Sequence, residues 1–213
     1  MWQLSLREML GLVALVTLGF AHGFLHFRFR AAQQELGQWR ARFGYLPETS
    51  PDQVAAVRLP FEQPLTFRIR VRVPDGEPYR IAYSSVIPRG EAKPAWFAAV
   101  DVPPGESSVT VRIAKDPRDE TWKIAAIVES DRGRKRFATT LPDDHSAIFR
   151  SHSEIVSGGI GRDPVVLPSP RSIRLLDERW LVGEGALLLY GDRPVDQDQI
   201  GVFAELQSDR SPL

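Results

Sequence analysis

Leu65-Thr66-Phe67-Arg68-Ile69-Arg70-Val71-Arg72-Val73 is the stretch that decides the fold. Leu, Phe, Ile and the two Val point one way; Thr and the three Arg point the other. Strict alternation over nine residues is the signature of a half-buried strand, because side chains on a strand alternate between the two faces of a sheet. Pro74-Asp75-Gly76 then turns the chain.

The same grammar continues outward. Tyr79–Ser84 reads as the next strand, and Trp96–Val102 comes after it, closed by Pro103-Pro104-Gly105. Val109-Thr110-Val111-Arg112-Ile113 alternates again. Trp122–Glu129 and Lys135–Leu141 flank Asp131-Arg132-Gly133-Arg134, a hairpin signal. Ser172–Leu176, Trp180–Val182, Ala186–Tyr190 and Ile200–Leu206 read as later strands, with Gly183-Glu184-Gly185 as a tight turn. Short strands separated by turn chemistry predict a mainly β fold, an antiparallel β-sandwich over residues 47–206 with a tail at 207–213. Residues 142–170 hold Gly158, Gly159, Gly161, Pro164, Pro168 and Pro170 and few alternating runs, so they read as a long loop, or as a domain boundary.

The N-terminus differs. After a short tail (1–8), residues 9–27 carry no charged side chain. Nineteen helical residues span roughly 28 Å, close to the roughly 30 Å hydrocarbon core of a bilayer. The run ends in Phe24-Leu25-His26-Phe27-Arg28 without a small-x-small cleavage site, so the expectation is an uncleaved single-pass membrane anchor. The arginines after the run outnumber those before it, which favours a cytoplasmic β domain. A signal-anchor at the extreme N-terminus exports the domain behind it, and the extracytoplasmic side is the expectation adopted. Gly19 and Gly23 form a small-xxx-small pair that allows close helix approach. His22 and His26 lie near the interface, where a ring reaches water.

The apolar pattern continues into residues 28–46. His22, Phe29, Leu36 and Phe43 alternate at heptad spacing with Leu25, Ala32, Trp39 and Leu46, which predicts a helical stalk. Gly44 and Pro47 supply the stop. The stripe fits either a coiled coil with a second copy or packing on the chain's own β domain. Gly19, Gly23, Phe29, Leu36, Trp39 and Phe43 are the oligomerisation candidates for a homodimer.

In Ser5-Leu6-Arg7-Glu8, Arg42-Phe43-Gly44-Tyr45-Leu46, Val111–Ile113, Asp116-Pro117-Arg118 and Trp122-Lys123-Ile124, the chain resembles a group of uncharacterised bacterial single-span membrane proteins. The resemblance spans roughly residues 1–130. It implies the architecture (span, helical stalk, β-sandwich) and brings no activity or cofactor with it.

Composition narrows the function. The chain has 213 residues, no cysteine and zero formal net charge. Disulfides, thiolate catalysis and Cys-ligated metals are excluded. Residues 58–140 carry 15 basic and 11 acidic groups, residues 141–213 carry 7 and 12. That is not the concentrated basic face nucleic acid requires. Asp143, Asp144, His145, Ser151, His152, Ser153 and Glu154 could assemble a hydrolytic or metal site, but no Gly-x-Ser-x-Gly elbow or ligand spacing supports it. Asp192, Asp196 and Asp198 read as an acidic loop rather than a calcium site. Gly158-Gly159-Ile160-Gly161 lacks the strand-then-helix setting of a phosphate loop. Tyr79, Tyr83, Trp96 and Phe97 could stack a sugar, or belong to the core.

The best binding candidates are Arg68, Arg70 and Arg72, about 7 Å apart along one sheet face and suited to anionic lipid or an acidic glycan. No catalytic residue, metal or cofactor is assigned. The expected function is a membrane-anchored, non-enzymatic binding or assembly module with the lipid bilayer, a second copy, or an envelope protein or glycan as partner. A membrane-tethered hydrolase or carbohydrate-active domain using residues 143–154 is the alternative.

Overall fold

The computed structural model describes residues 6–60, 63–150, 154–181 and 198–208. It separates into two compact units, Met1–Phe43 and Gly44–Leu213.

The first unit is one helix, α1 (Leu6–Phe43), 38 residues long. It holds no proline, and its rise gives roughly 57 Å. Met9–Gly37 is long and apolar enough to cross a membrane, its most apolar 18-residue stretch having a mean hydropathy of 1.7. The helix ends because Gly44 adopts φ +60°, the left-handed C-terminal cap. Any side chain there would collide with Leu59.

The second unit contains β1 (Gln53–Leu59), β2 (Thr66–Val73), β3 (Tyr79–Ile87), β4 (Ala98–Val102), β5 (Gly105–Lys115), β6 (Trp122–Ser130), β7 (Gly133–Thr140), α2 (Asp143–Arg150), β8 (Glu154–Gly159), β9 (Val165–Pro168), β10 (Ile173–Leu181) and β11 (Gln199–Ser208). The strands form two antiparallel sheets, β7-β6-β5-β2-β1-β9 and β4-β3-β11-β10-β8, in a sandwich-like arrangement. The mainly β fold expected from the alternating stretches is the one observed. Phe67 pairs with Val111 and Ile69 with Val109 across β2 and β5, so each strand's apolar row falls on the same face. Those rows meet Tyr79, Ile81, Tyr83, Leu176 and Val202 from the second sheet in one core.

Several boundaries differ from those expected. Residues 142–170 are not a long loop: they supply α2, β8 and β9, the last two pairing with β10 and β1. α2 inserts Phe149 into the core, where its ring meets Trp180 edge-on at 4.9 Å. The two strands expected at 172–176 and 180–182 are one continuous β10. β1 has no counterpart among the expected strands. The tail expected from 207 begins later, since Gln207 and Ser208 are buried in β11. The expected strand Ala186–Tyr190 and the Gly183–Gly185 turn lie outside the described residues.

The stalk expected to reach residue 46 stops at Phe43. Leu46, assigned by spacing to the heptad, is instead buried against Ala55, Val57 and Val166 on the outer face of the first sheet. The chain from Gly44 to Pro47 therefore lies on that face, and this decides what the arginines of β2 do.

Candidate functional site

The register places Arg68, Arg70 and Arg72 on the outer face of β2, opposite Thr110, Ser108 and Glu106 of β5. Arg72 pairs with Glu106, and its Nη1 donates to the Pro47 carbonyl at 2.5 Å. Arg70 Nη1 donates to the Gly44 carbonyl at 3.4 Å. Arg68 is also partnered. The stripe singled out from the sequence thus fastens the segment at Gly44 and Pro47 with charge-assisted hydrogen bonds, and none of its three members is a free cation.

Further cations lie along the same face. Arg112 of β5, Lys123 of β6 and Arg136 of β7 line a depression of about 220 Å³, together with Ala114, Ala125 and the Asp116-Pro117-Arg118 turn. Lys123 Nζ donates to Asp116 at 2.9 Å and Asp119 at 2.5 Å. Hydrogen bonding from Lys123 holds Asp119 down at about 2 and keeps Asp116 below the usual carboxylate range. The two carboxylates in turn push the Lys123 ammonium upward. Arg112 and Arg136 form no ion pair or side-chain hydrogen bond among the described residues. The sequence signal was present in Val109–Ile113, where Arg112 is the outward residue; what it could not show is which arginines the chain consumes internally.

The polar cluster at 143–154 is divided. Asp143 and Asp144 are exposed in the first turn of α2, where carboxylates favour a helix N-terminus. His145 is only 7% exposed, and its Nδ1 lies 2.7 Å from Oγ of the fully buried Ser85. Ser151, His152 and Ser153 lie outside the described residues. No group of three or more His, Cys, Asp or Glu able to hold a metal occurs among the described residues.

Burial lowers the His145 pKa, partly opposed by Asp144 and Asp198. A histidine whose folded pKa lies below its unfolded value binds its proton more readily when unfolded, so stability rises with pH across that interval. The protein is expected to lose stability as pH falls below about 6.5, the unperturbed histidine value. His145→Gln should flatten this dependence in denaturant titrations run between neutral and acidic pH. An unchanged slope would show that another group carries it.

The remaining candidates disperse. Tyr79 and Tyr83 are core residues whose hydroxyls meet Ser169 at 2.9 Å and Thr139 at 3.1 Å. Phe97 packs on the core, and Trp96 carries the Arg174 guanidinium 5.5 Å above its ring. They form no common stacking platform. Asp198 accepts from the Arg89 backbone N–H at 2.8 Å, a loop contact; Asp192 and Asp196 lie outside the described residues. Gly158 and Gly159 sit in β8, where a Cβ on Gly159 would lie 2.7 Å from the Leu175 carbonyl, so these glycines serve close strand approach.

On α1, Gly19 and Gly23 open an apolar notch with Val16, Phe20 and Phe24. Phe29, Leu36, Trp39 and Phe43 are exposed, and the Trp39 and Phe43 rings stack in parallel at 5.5 Å. No family model, curated protein or solved structure matches this chain.

Proposed function

We propose that the chain is a single-pass membrane protein whose β-sandwich is a non-enzymatic binding module, held on the extracytoplasmic side and engaging an envelope protein or glycan. One observation carries this reading: an apolar 29-residue segment sufficient to cross a bilayer precedes a sandwich whose outer face bears unspent cations. A second copy joins through the notch and aromatic stripe of α1. The first test is protease accessibility of a C-terminally tagged chain in cells with a permeabilised outer envelope. Digestion with the cytoplasmic membrane intact supports the export reading; full protection overturns it and places the module in the cytoplasm.

The dimer has its own test. Leu36→Asp combined with Trp39→Asp places two charges on the stripe and is expected to convert dimers to monomers in detergent. Unchanged oligomeric mass by light scattering would rule out the stripe as the interface.

The hydrolase alternative has one observation in its favour, the 2.7 Å contact between Ser85 and His145. A nucleophile must reach substrate, and Ser85 is fully buried in the sandwich. A fluorophosphonate probe should therefore leave Ser85 unlabelled. Labelling lost on His145→Gln would reverse the choice between the two readings.

A further inference from the structure

The depression on the outer face of the first sheet arises from its register. Arg112 lies opposite Ala125, and Ala125 opposite Ala138, so methyl groups fill the row between long side chains. Lys123 is two residues along β6, and Arg136 lies opposite Ile127 in the adjacent row. Long cations thus surround a floor that is only 3% exposed at Ala125.

Not all the charge around this floor is available. Lys123 is committed to Asp116 and Asp119, and Lys115 faces Glu120 at 3.3 Å. On β7, Arg134 pairs with Glu129 and Lys135 with Asp101, leaving Arg136 beside two satisfied neighbours. A basic edge strand commonly blocks edge-to-edge pairing, and this explains Arg134–Arg136 as a group. It does not explain Arg112, which sits half-buried on an interior strand of the sheet with no counter-ion among the described residues. Its guanidinium nitrogens still reach solvent, so they are open to an incoming anion, with which they can form charge-assisted hydrogen bonds.

We infer that this depression binds a phosphomonoester-type dianion, with Arg112 and Arg136 gripping different oxygens. Two unspent guanidinium forks on separate strands match a tetrahedral group that offers three oxygens and about two charges. A carboxylate offers one charge and two coplanar oxygens, which one fork already satisfies. The chemistry is shared by soluble phosphomonoesters and by the headgroup of phosphatidic acid. The inference gives the binding module proposed above a ligand in addition to the envelope protein or glycan and rests on that reading for its setting.

The test uses the full chain in phosphatidylcholine nanodiscs, titrated with inorganic phosphate by calorimetry. Saturable binding is expected. Arg112→Gln and Arg136→Gln should each weaken it about tenfold, the loss of a charge-assisted pair. Arg132→Gln, at the tip of the β6–β7 hairpin, should leave it unchanged. Adding phosphatidic acid to the nanodisc separates the sources: suppression of phosphate binding identifies the headgroup as ligand, and unaltered binding identifies a soluble phosphomonoester. Absence of saturable binding, or equal binding by the Arg112→Gln/Arg136→Gln double variant, overturns the inference. Extraction of the wild-type chain from membranes by carbonate would overturn the anchor alone and leave the anion site standing.

Discussion

Phe149→Ala is expected to lower the free energy of unfolding by about 4 kcal/mol, the usual cost of emptying a core aromatic site. Phe149 is 6% exposed and inserts from α2 into the same core as Trp180, Leu141 and Ile160. Its ring meets Trp180 at 83°, so the substitution removes an edge-to-face contact as well as apolar area. The neighbouring Ala147 is exposed, and Ala147→Ser should change stability by less than about 0.5 kcal/mol. Both are measured on the detergent-solubilised full chain by urea titration, monitored by near-UV circular dichroism. Loosening α2 should also admit solvent to the Ser85–His145 contact, so amide exchange at the end of β3 should accelerate in the alanine variant. A loss under about 1 kcal/mol would mean that α2 is a surface appendage and not a structural plug.

That helix is invisible to periodicity for a physical reason. Asp143–Arg150 is 8 residues, about two turns, too short for an apolar stripe to repeat. Its cues are electrostatic instead, two aspartates in the first turn and an arginine in the last. β2 and β5 are legible because one face is apolar and the other polar. β1 is not, since Ala55 and Val57 are covered by Leu46 on one face while Val54 and Ala56 join the core on the other. A strand buried on both faces shows no alternation. β8 and β9 are hidden by glycine and proline, which here occupy edge strands of the two sheets. On the outer face the alternation reveals Arg68, Arg70 and Arg72 but not their partners. Two of those partners are backbone carbonyls of the segment after α1, and a carbonyl has no sequence signature.

Asp177-Glu178-Arg179 interrupts the apolar pattern of β10 and makes one strand look like two, and the same interruption yields the second large expectation. Glu178 points inward, its side chain only 3% exposed, and bonds Arg58 across the two sheets at 2.5 Å. Ser157 Oγ donates to its other oxygen at 2.6 Å. Arg58 is also held by stacking over Phe67, 5.2 Å from the ring centroid. Glu178→Ala should therefore cost about 3 kcal/mol, because it strands a half-buried guanidinium. The loss belongs at the lower end of the range for buried pairs, since Arg58 borders a pocket of about 390 Å³ into which it can relax toward solvent. Glu178→Gln keeps an acceptor for Ser157 and should fall between the alanine variant and wild type. Arg58→Met with Glu178→Leu removes both charges together and is expected to recover most of the loss, giving a coupling energy above about 1 kcal/mol. A double variant as unstable as Glu178→Ala would mean that the pair supplies net attraction across the sandwich. Recovery would mean that its contribution is alignment. The pair joins β1 of one sheet to β10 of the other, and a charge placed at one position along each strand penalises any slip in register that leaves it unmatched.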